Sequence, residues 1–253
     1  MGLAIHNYHD AHGYIPYSTS YGDTGASSPT TGRGWILEAL AFMEQNAVYT
    51  SFEPSRVGDF GAGQGIKNCL PQMATQVTIL MCPSDSSNHL VTTQYQLEGT
   101  TVFATNYKGV IGTSNMGGGW PDSPIGTADT HTTRNCNGLF FRNSYLVKIR
   151  ITDITDGTSN TLAVGEDVVD QNYHTAAYYC NGDYASTHAP LNYFPNPAAP
   201  ADWQKVMSFR SRHTGGANFA LADGSVRFIP QATDRLQYQQ LSTRAGGEVA
   251  AVP

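Results

Sequence analysis

Charge is what this sequence has least of. Only 13% of its 253 residues are Asp, Glu, Lys or Arg, about half the usual share of roughly 25%. The net charge is −6, and no cluster of Lys and Arg forms a stripe that could neutralise a run of phosphates, which argues against a nucleic-acid interface. Long apolar runs are missing as well. The longest, such as residues 35–41 with Glu38 inside them, fall far short of the roughly 18 residues that span a bilayer, and no secretory leader is recognisable. There is no C-x-x-C pair, which argues against a zinc knuckle or a thioredoxin-like site. The composition is also not that of a coiled coil, which would be rich in Ala, Glu, Lys and Leu, and aromatics at 11% are too many for a disordered tail.

What remains is 40% hydrophobic residues, 26 Gly and 14 Tyr, amid many Ser, Thr and Asn. That mixture suits a loop-rich protein with a buried core, working outside the cytoplasm. The four cysteines, Cys69, Cys82, Cys136 and Cys180, would then be candidates for disulfides, with Cys69–Cys82 and Cys136–Cys180 as the natural local pairings. Buried thiols are the alternative.

Along the chain, residues 3–12 place Ile5, Tyr8 and His12 on one helical face before Gly13 stops the helix. Residues 35–49 carry Ile36, Leu40, Met43 and Ala47 at helical spacing, the stripe of a helix packed on a sheet. Residues 77–81, 101–111, 138–142, 147–151 and 161–166 read as strands, and residues 115–133 as a long loop. Residues 219–221 and 226–229 flank Ala222-Asp223-Gly224-Ser225, a hairpin with an Asp-Gly turn. Residues 236–243 read as a short closing helix. No repeat and no composition shift divides the chain, so residues 1–253 are expected to form one α+β domain built on an antiparallel sheet.

Several groups of residues could carry chemistry. His213 and Asp223 could act as a base and its orienter, with Ser208, Ser211 or Ser225 as nucleophile, although none of these lies in a strand–turn–helix elbow. The competing account is structural: Asp223 caps the hairpin turn and His213 hydrogen-bonds across it. Asp153, Asp156, Asn160, Glu166 and Asp167 gather oxygen ligands of the kind calcium takes, and Asp223 can be added to that set. The spacing is not that of an EF-hand, and an Asp156-Gly157 turn satisfied by Thr and Asn side chains explains the residues equally well. His6, His9 and His12 would spiral around a helix rather than converge on a metal. Gly61-Ala62-Gly63-Gln64-Gly65 fits neither phosphate-loop pattern. Trp120, Tyr173, Tyr178, Tyr179, Tyr184, Tyr193 and Trp203 could form a face for sugars or proteins, or could simply fill the core.

Taken in order, Gly2-Leu3-Ala4-Ile5-His6-Asn7-Tyr8-His9-Asp10, Trp35…Leu40…Glu44-Gln45, Cys82-Pro83-Ser84-Asp85, Thr105-Asn106-Tyr107, Ile154-Thr155-Asp156-Gly157-Thr158-Ser159-Asn160-Thr161, Gly165-Glu166, Ser211-Arg212-His213 and Asp223-Gly224-Ser225-Val226-Arg227-Phe228 resemble the DUF1559 family. The family's signature of a His, nine residues and Asp-Gly is matched by His213 and Asp223-Gly224, and residues 243–248 resemble its closing motif. The resemblance spans residues 2–248.

It implies a pilin- or pseudopilin-like head, with an N-terminal helix on an antiparallel sheet and long loops. Family members, abundant in planctomycetes, begin with a type IV prepilin-like leader and a long apolar helix. That part would be missing here, leaving a helix that starts mid-stride at Gly2. The implied role is a non-catalytic surface or secretion-associated structural protein outside the cytoplasm. It would meet other copies or pilin-like subunits, and the membrane, only through the missing helix. The resemblance transfers no catalytic residue. Related pseudopilins bind calcium in a C-terminal loop, though no ligand motif of theirs maps onto this chain. A glycan- or solute-binding module using the loop aromatics is the rival reading, and a hydrolase using His213 and Asp223 a lesser one. The nine-residue spacing itself reads as a register device, holding His213 and the Asp223 turn at fixed positions along one hairpin.

Overall fold

The computed structural model describes residues 1–22, 30–114, 136–248 and 250–253. Among them the helices are α1 (Gly2–His12), α2 (Trp35–Ala39), α3 (Asn46–Ser51), α4 (Trp203–Val206) and α5 (Arg235–Gln240). The strands are β1 (Leu90–Val91), β2 (Val102–Phe103), β3 (Tyr107–Val110), β4 (Leu162–Glu166), β5 (Tyr184–Ala185), β6 (Gly216–Leu221) and β7 (Val226–Pro230). The main sheet has the order β5-β3-β4-β6-β7. Every pairing in it is antiparallel except β3 with β5, which run parallel. A separate small hairpin joins β1 to β2. The α+β expectation holds, with α1 lying on a mostly antiparallel sheet.

The sheet is covered on both faces. On one, Ile5 of α1 joins Trp35, Ile36, Leu40, Ala163 and Val164 in the larger apolar cluster. On the other, Phe219 and Leu221 of β6 meet Tyr238 and Leu241 at the closing helix. The alternation of strand side chains produces this division. A register shift between Leu162 and Val164 lets β4 serve both layers. α1 ends where the sequence says it should, with Gly13 in the left-handed conformation and its N–H donating to the His9 carbonyl. The β6–β7 hairpin also forms as expected, Gly224 taking a φ of 85° at its turn. Among the described residues no helix is long and apolar enough to cross a membrane.

Three expectations fail for identifiable reasons. Residues 35–49 do not make one helix: the chain tightens into a 3-10 turn at Leu40–Met43 and reverses at Glu44, whose φ is 60°. Trp35, Ile36, Leu37 and Ala39 are all fully buried, so this segment is surrounded rather than striped. Residues 77–81 form a 3-10 turn at Thr78–Leu80. The Leu80 carbonyl is taken by the Asn106 amide and the Thr105 hydroxyl, not by a neighbouring strand. Residues 138–142 and 147–151 are not strands either. They are pinned by isolated bonds, Leu139 and Phe140 N–H both donating to the Val110 carbonyl and Ile15 N–H to that of Ile149.

No disulfide joins the four cysteines, all of them buried. The proposed Cys69–Cys82 pairing fails because the two thiols serve different neighbourhoods. Cys69 lies under the Ser51 carbonyl, whereas Cys82 faces Glu166 and His213. Cys136–Cys180 is likewise not a disulfide.

Candidate functional site

Four chain segments meet at the end of β4. Cys82 follows the 3-10 turn at Thr78–Leu80, and its amide donates to Asn106 Oδ1 at 2.7 Å. The Asn106 side-chain amide donates in turn to Asp85 Oδ2 at 2.6 Å and to the Asp167 carbonyl at 2.9 Å. Asp85 also accepts from the Val169 amide and from Ser87. Burial works against its charge, but these donors outweigh it and hold the carboxyl below the usual range. Fully buried Asn106 is thus the bracket that fixes the Cys82-Pro83-Ser84-Asp85 turn to the sheet.

The other side of the site is fixed by charge. Side chains alternate along β4 and beyond, so Glu166 and Asp167 point to different places. Asp167 accepts from Arg210 at 3.0 Å and from Asn172 at 2.7 Å, with the Lys108 ammonium 3.6 Å away. Both cations are completely buried. Arg210 also binds the carbonyls of Tyr193, Lys205 and Val206, and its own amide donates to the Glu166 carbonyl. That clamp lays residues 208–213 beside β4 and brings His213 to Glu166.

The result is a compact cluster. His213 Nε2 lies 3.2 Å from Glu166 Oε1 and 3.8 Å from Cys82 Sγ, and Sγ lies 3.9 Å from the same carboxylate oxygen. Cys82 and Glu166 are buried, and His213 is half-buried. The Asn218 amide donates to Glu166 Oε2 at 2.8 Å. Burial, with Glu166 adding to it, pushes the Cys82 thiol up. Burial beside Cys82 and Glu166 also moves the Tyr107 phenol up to about 12. The cluster opens into a cavity of about 450 Å³, lined also by Ile79, Tyr107, Phe219 and Val226.

Residues singled out in the sequence fall into two groups. His213 and Glu166 come together, and Cys82 joins them. His213 and Asp223 do not, because they flank opposite ends of β6 (Gly216–Leu221). Asp223 caps its turn, accepting from the Ser225 amide at 2.8 Å. The imidazole that reaches that turn is His6, bonded to the Ala222 carbonyl at 2.9 Å; His213 does not cross it. Among the described residues no serine hydroxyl bonds to the His213 imidazole: Ser211 accepts from the His213 backbone amide, Ser208 from Arg210, and Ser225 belongs to the distant turn.

Of the calcium set Asp153, Asp156, Asn160 and Asp223, no carboxylate belongs to the grouping of side chains close enough to share an ion among the described residues. Asp153 is held by Arg150. Asp156 accepts from the amides of Gly246 and Gly247 and from Thr243. Among the described residues the grouping of His, Cys, Asp and Glu side chains close enough to share a metal is Cys82, Glu166 and His213. His9 and His12 are bonded to backbone groups of Ile151 and Tyr8.

A second cavity, of about 660 Å³, is lined by Tyr21, Tyr95, Tyr173, Tyr184 and Trp203. Three of the sequence-picked aromatics therefore share it. Tyr178 and Tyr179 are fully buried in the core instead. Tyr193 contributes its carbonyl to Arg210, and Trp120 lies outside the described residues.

The family model SBP_bac_10, described as protein of unknown function (DUF1559), matches residues 1–236. The chain belongs to the DUF1559 family. A search of the curated proteins gave no significant match, and a search of the solved structures gave none. Four of the segments that carry the DUF1559 resemblance, around Cys82, Asn106, Glu166 and His213, are the ones that build the cluster. Sequence reasoning missed the union because its members stand up to 131 positions apart, with no short spacing to mark them.

Proposed function

We propose that this DUF1559 chain is a non-catalytic, extracytoplasmic head of pilin-like build, part of a surface or secretion-associated assembly. The observation that carries the reading is the docking of α1 along one face of the sheet. Ile5 sits in the core with Ala163, and Gly2 lies so close to Gly224 that an added Cβ would come within 2.9 Å. A helix laid on an antiparallel sheet, with the remaining chain spent on loops, is the arrangement expected of a subunit that packs by its helix and shows its loops. Its partners would be other copies or pilin-like subunits. The test is localisation. The complete protein should be recovered with surface material sheared from intact cells, and should be cut by protease added outside them. Recovery in the cytosolic fraction, protected from protease, would overturn the proposal.

The aromatic cavity favours a second reading, a binding module for a glycan or similar solute. Flat rings beside the polar Thr92, Thr93, Gln96 and Asn181 provide apolar faces and hydrogen-bonding groups together, the combination small-molecule sites use. Saturable binding of an oligosaccharide that is lost in Trp203→Ala and Tyr173→Ala would support it. An oligosaccharide panel without a binder would remove it.

A further inference from the structure

The Cys82–Glu166–His213 cluster has two chemical readings, a catalytic relay or a set of metal ligands. In a thiol relay the imidazole contacts its nucleophile through one nitrogen and its orienting carboxylate through the other. Here Cys82 Sγ and Glu166 Oε1 face the same nitrogen, Nε2 of His213, at 3.8 and 3.2 Å. They also lie 3.9 Å from each other. That is a triangle, as ligands around a common centre would form, not a line along which a proton could pass.

The triangle has the right size. A tetrahedral zinc ion, with bonds of about 2.3 Å to sulfur and about 2.0–2.2 Å to nitrogen and oxygen, sets its ligand atoms about 3.4–3.6 Å apart. Each observed edge departs from that by only about 0.3 Å or less. The donors form a mixed set of thiol, imidazole and carboxylate, suited to zinc and its neighbours rather than to calcium or magnesium, which take oxygen. The carboxylate is held by a second layer, the Asn218 amide on Oε2 and its side chain on Oε1, as metal-bound carboxylates commonly are. The cysteine turn is held by Asn106.

We propose that Cys82, Glu166 and His213 bind one divalent ion of the zinc class, with the fourth position open to the 450 Å³ cavity. On binding, the Cys82 thiol gives up its proton to solvent and sulfur enters as thiolate. The fourth ligand is water, or a donor atom of a molecule entering the cavity. The site ties together segments distant in sequence, and it is independent of the pilin-like reading; either can fail without the other.

The experiment uses the purified chain, stripped with chelator and dialysed against zinc(II) or cobalt(II). We expect one zinc per chain by elemental analysis. The cobalt form should show a near-ultraviolet thiolate-to-metal charge-transfer band and visible bands of tetrahedral strength. Cys82→Ser should abolish the charge-transfer band, and His213→Gln and Glu166→Gln should each weaken zinc binding at least tenfold. Cys69→Ser, altering a thiol elsewhere in the core, should change neither. Should Cys82→Ser not fold, native alkylation of the wild-type chain answers instead: zinc should protect Cys82, identified by peptide mapping, from the reagent. Zinc well below one per chain, a charge-transfer band surviving in Cys82→Ser, or alkylation of Cys82 unaffected by zinc would overturn the proposal.

Discussion

At the residue scale the most consequential side chain is Asp167. It is the carboxylate that faces both Lys108 and Arg210, each removed from water. Its removal would leave two buried cations short of a counter-charge, and breaking such a pair costs about 3–5 kcal/mol. Asp167→Ala should therefore lower the urea midpoint sharply or prevent folding, whereas Arg212→Ala, which removes an exposed pair with Asp170, should cost about 1 kcal/mol or less. Paired urea melts of the two variants provide the check. His188 offers a pH signature. Burial, helped by Arg235 and Arg210, drops its pKa from 6.5 to about 4. The unfolded chain thus binds a proton below pH 6.5 that the folded chain refuses until about pH 4, so this group's contribution is full above 6.5 and is lost as pH falls through that window. Buried Asp183, its carboxyl raised to about 8, slopes the other way, its stabilisation fading as pH rises from about 4 towards 8. The His188 effect must for that reason be read as a difference. The wild type should lose ground to His188→Gln by about 1 kcal/mol per pH unit below 6.5, and parallel curves would contradict the assigned burial.

At the element scale the clearest case is the clasp between the Asp156 turn and the closing segment. Asp156 accepts from the Gly246 and Gly247 amides and from Thr243, while the Arg244 carbonyl accepts from Thr155. Hydrogen bonds to a charged acceptor are worth about 1.5–3 kcal/mol each at most. Asp156→Ala should accordingly release the segment after α5, seen as faster amide exchange at residues 243–248, with calcium having no effect on wild type or variant. Elements were legible in the sequence where local chemistry decides them: Gly13 ending α1, Asp223-Gly224 turning the hairpin, β4 as a buried strand, α5 as a closing helix. They were illegible where a distant partner decides. Residues 77–81 look like a strand but find Thr105 and Asn106 instead of a neighbouring strand. Residues 35–49 carry a helical stripe, but Trp35–Leu40 is buried on all sides and the chain reverses at Glu44. The site was half legible: Glu166 and His213 stood out, but Cys82 read as half a disulfide, because nothing near it in the chain reveals that Asn106 turns it towards β4.

At the scale of the whole molecule, α1 is both the cover of the sheet and the element that the pilin-like reading depends on. It buries Ala4, Ile5 and Tyr8 and anchors the β6–β7 turn through His6. Full burial of a large apolar side chain is worth about 1.5–3 kcal/mol, so Ile5 and Tyr8 together rival much of the roughly 5–15 kcal/mol that holds a domain folded. Without residues 1–12 the apolar side chains that line the groove beneath the helix, Ile15, Leu139, Ile151 and Ile154 among them, would face water. A chain lacking α1 should bind a hydrophobic dye and self-associate in light scattering, and an added peptide of residues 1–12 should reverse both. If the shortened chain instead stays monomeric with an unchanged melting temperature, α1 is an appendage to the head, and the assembly proposed for this protein would need another contact surface.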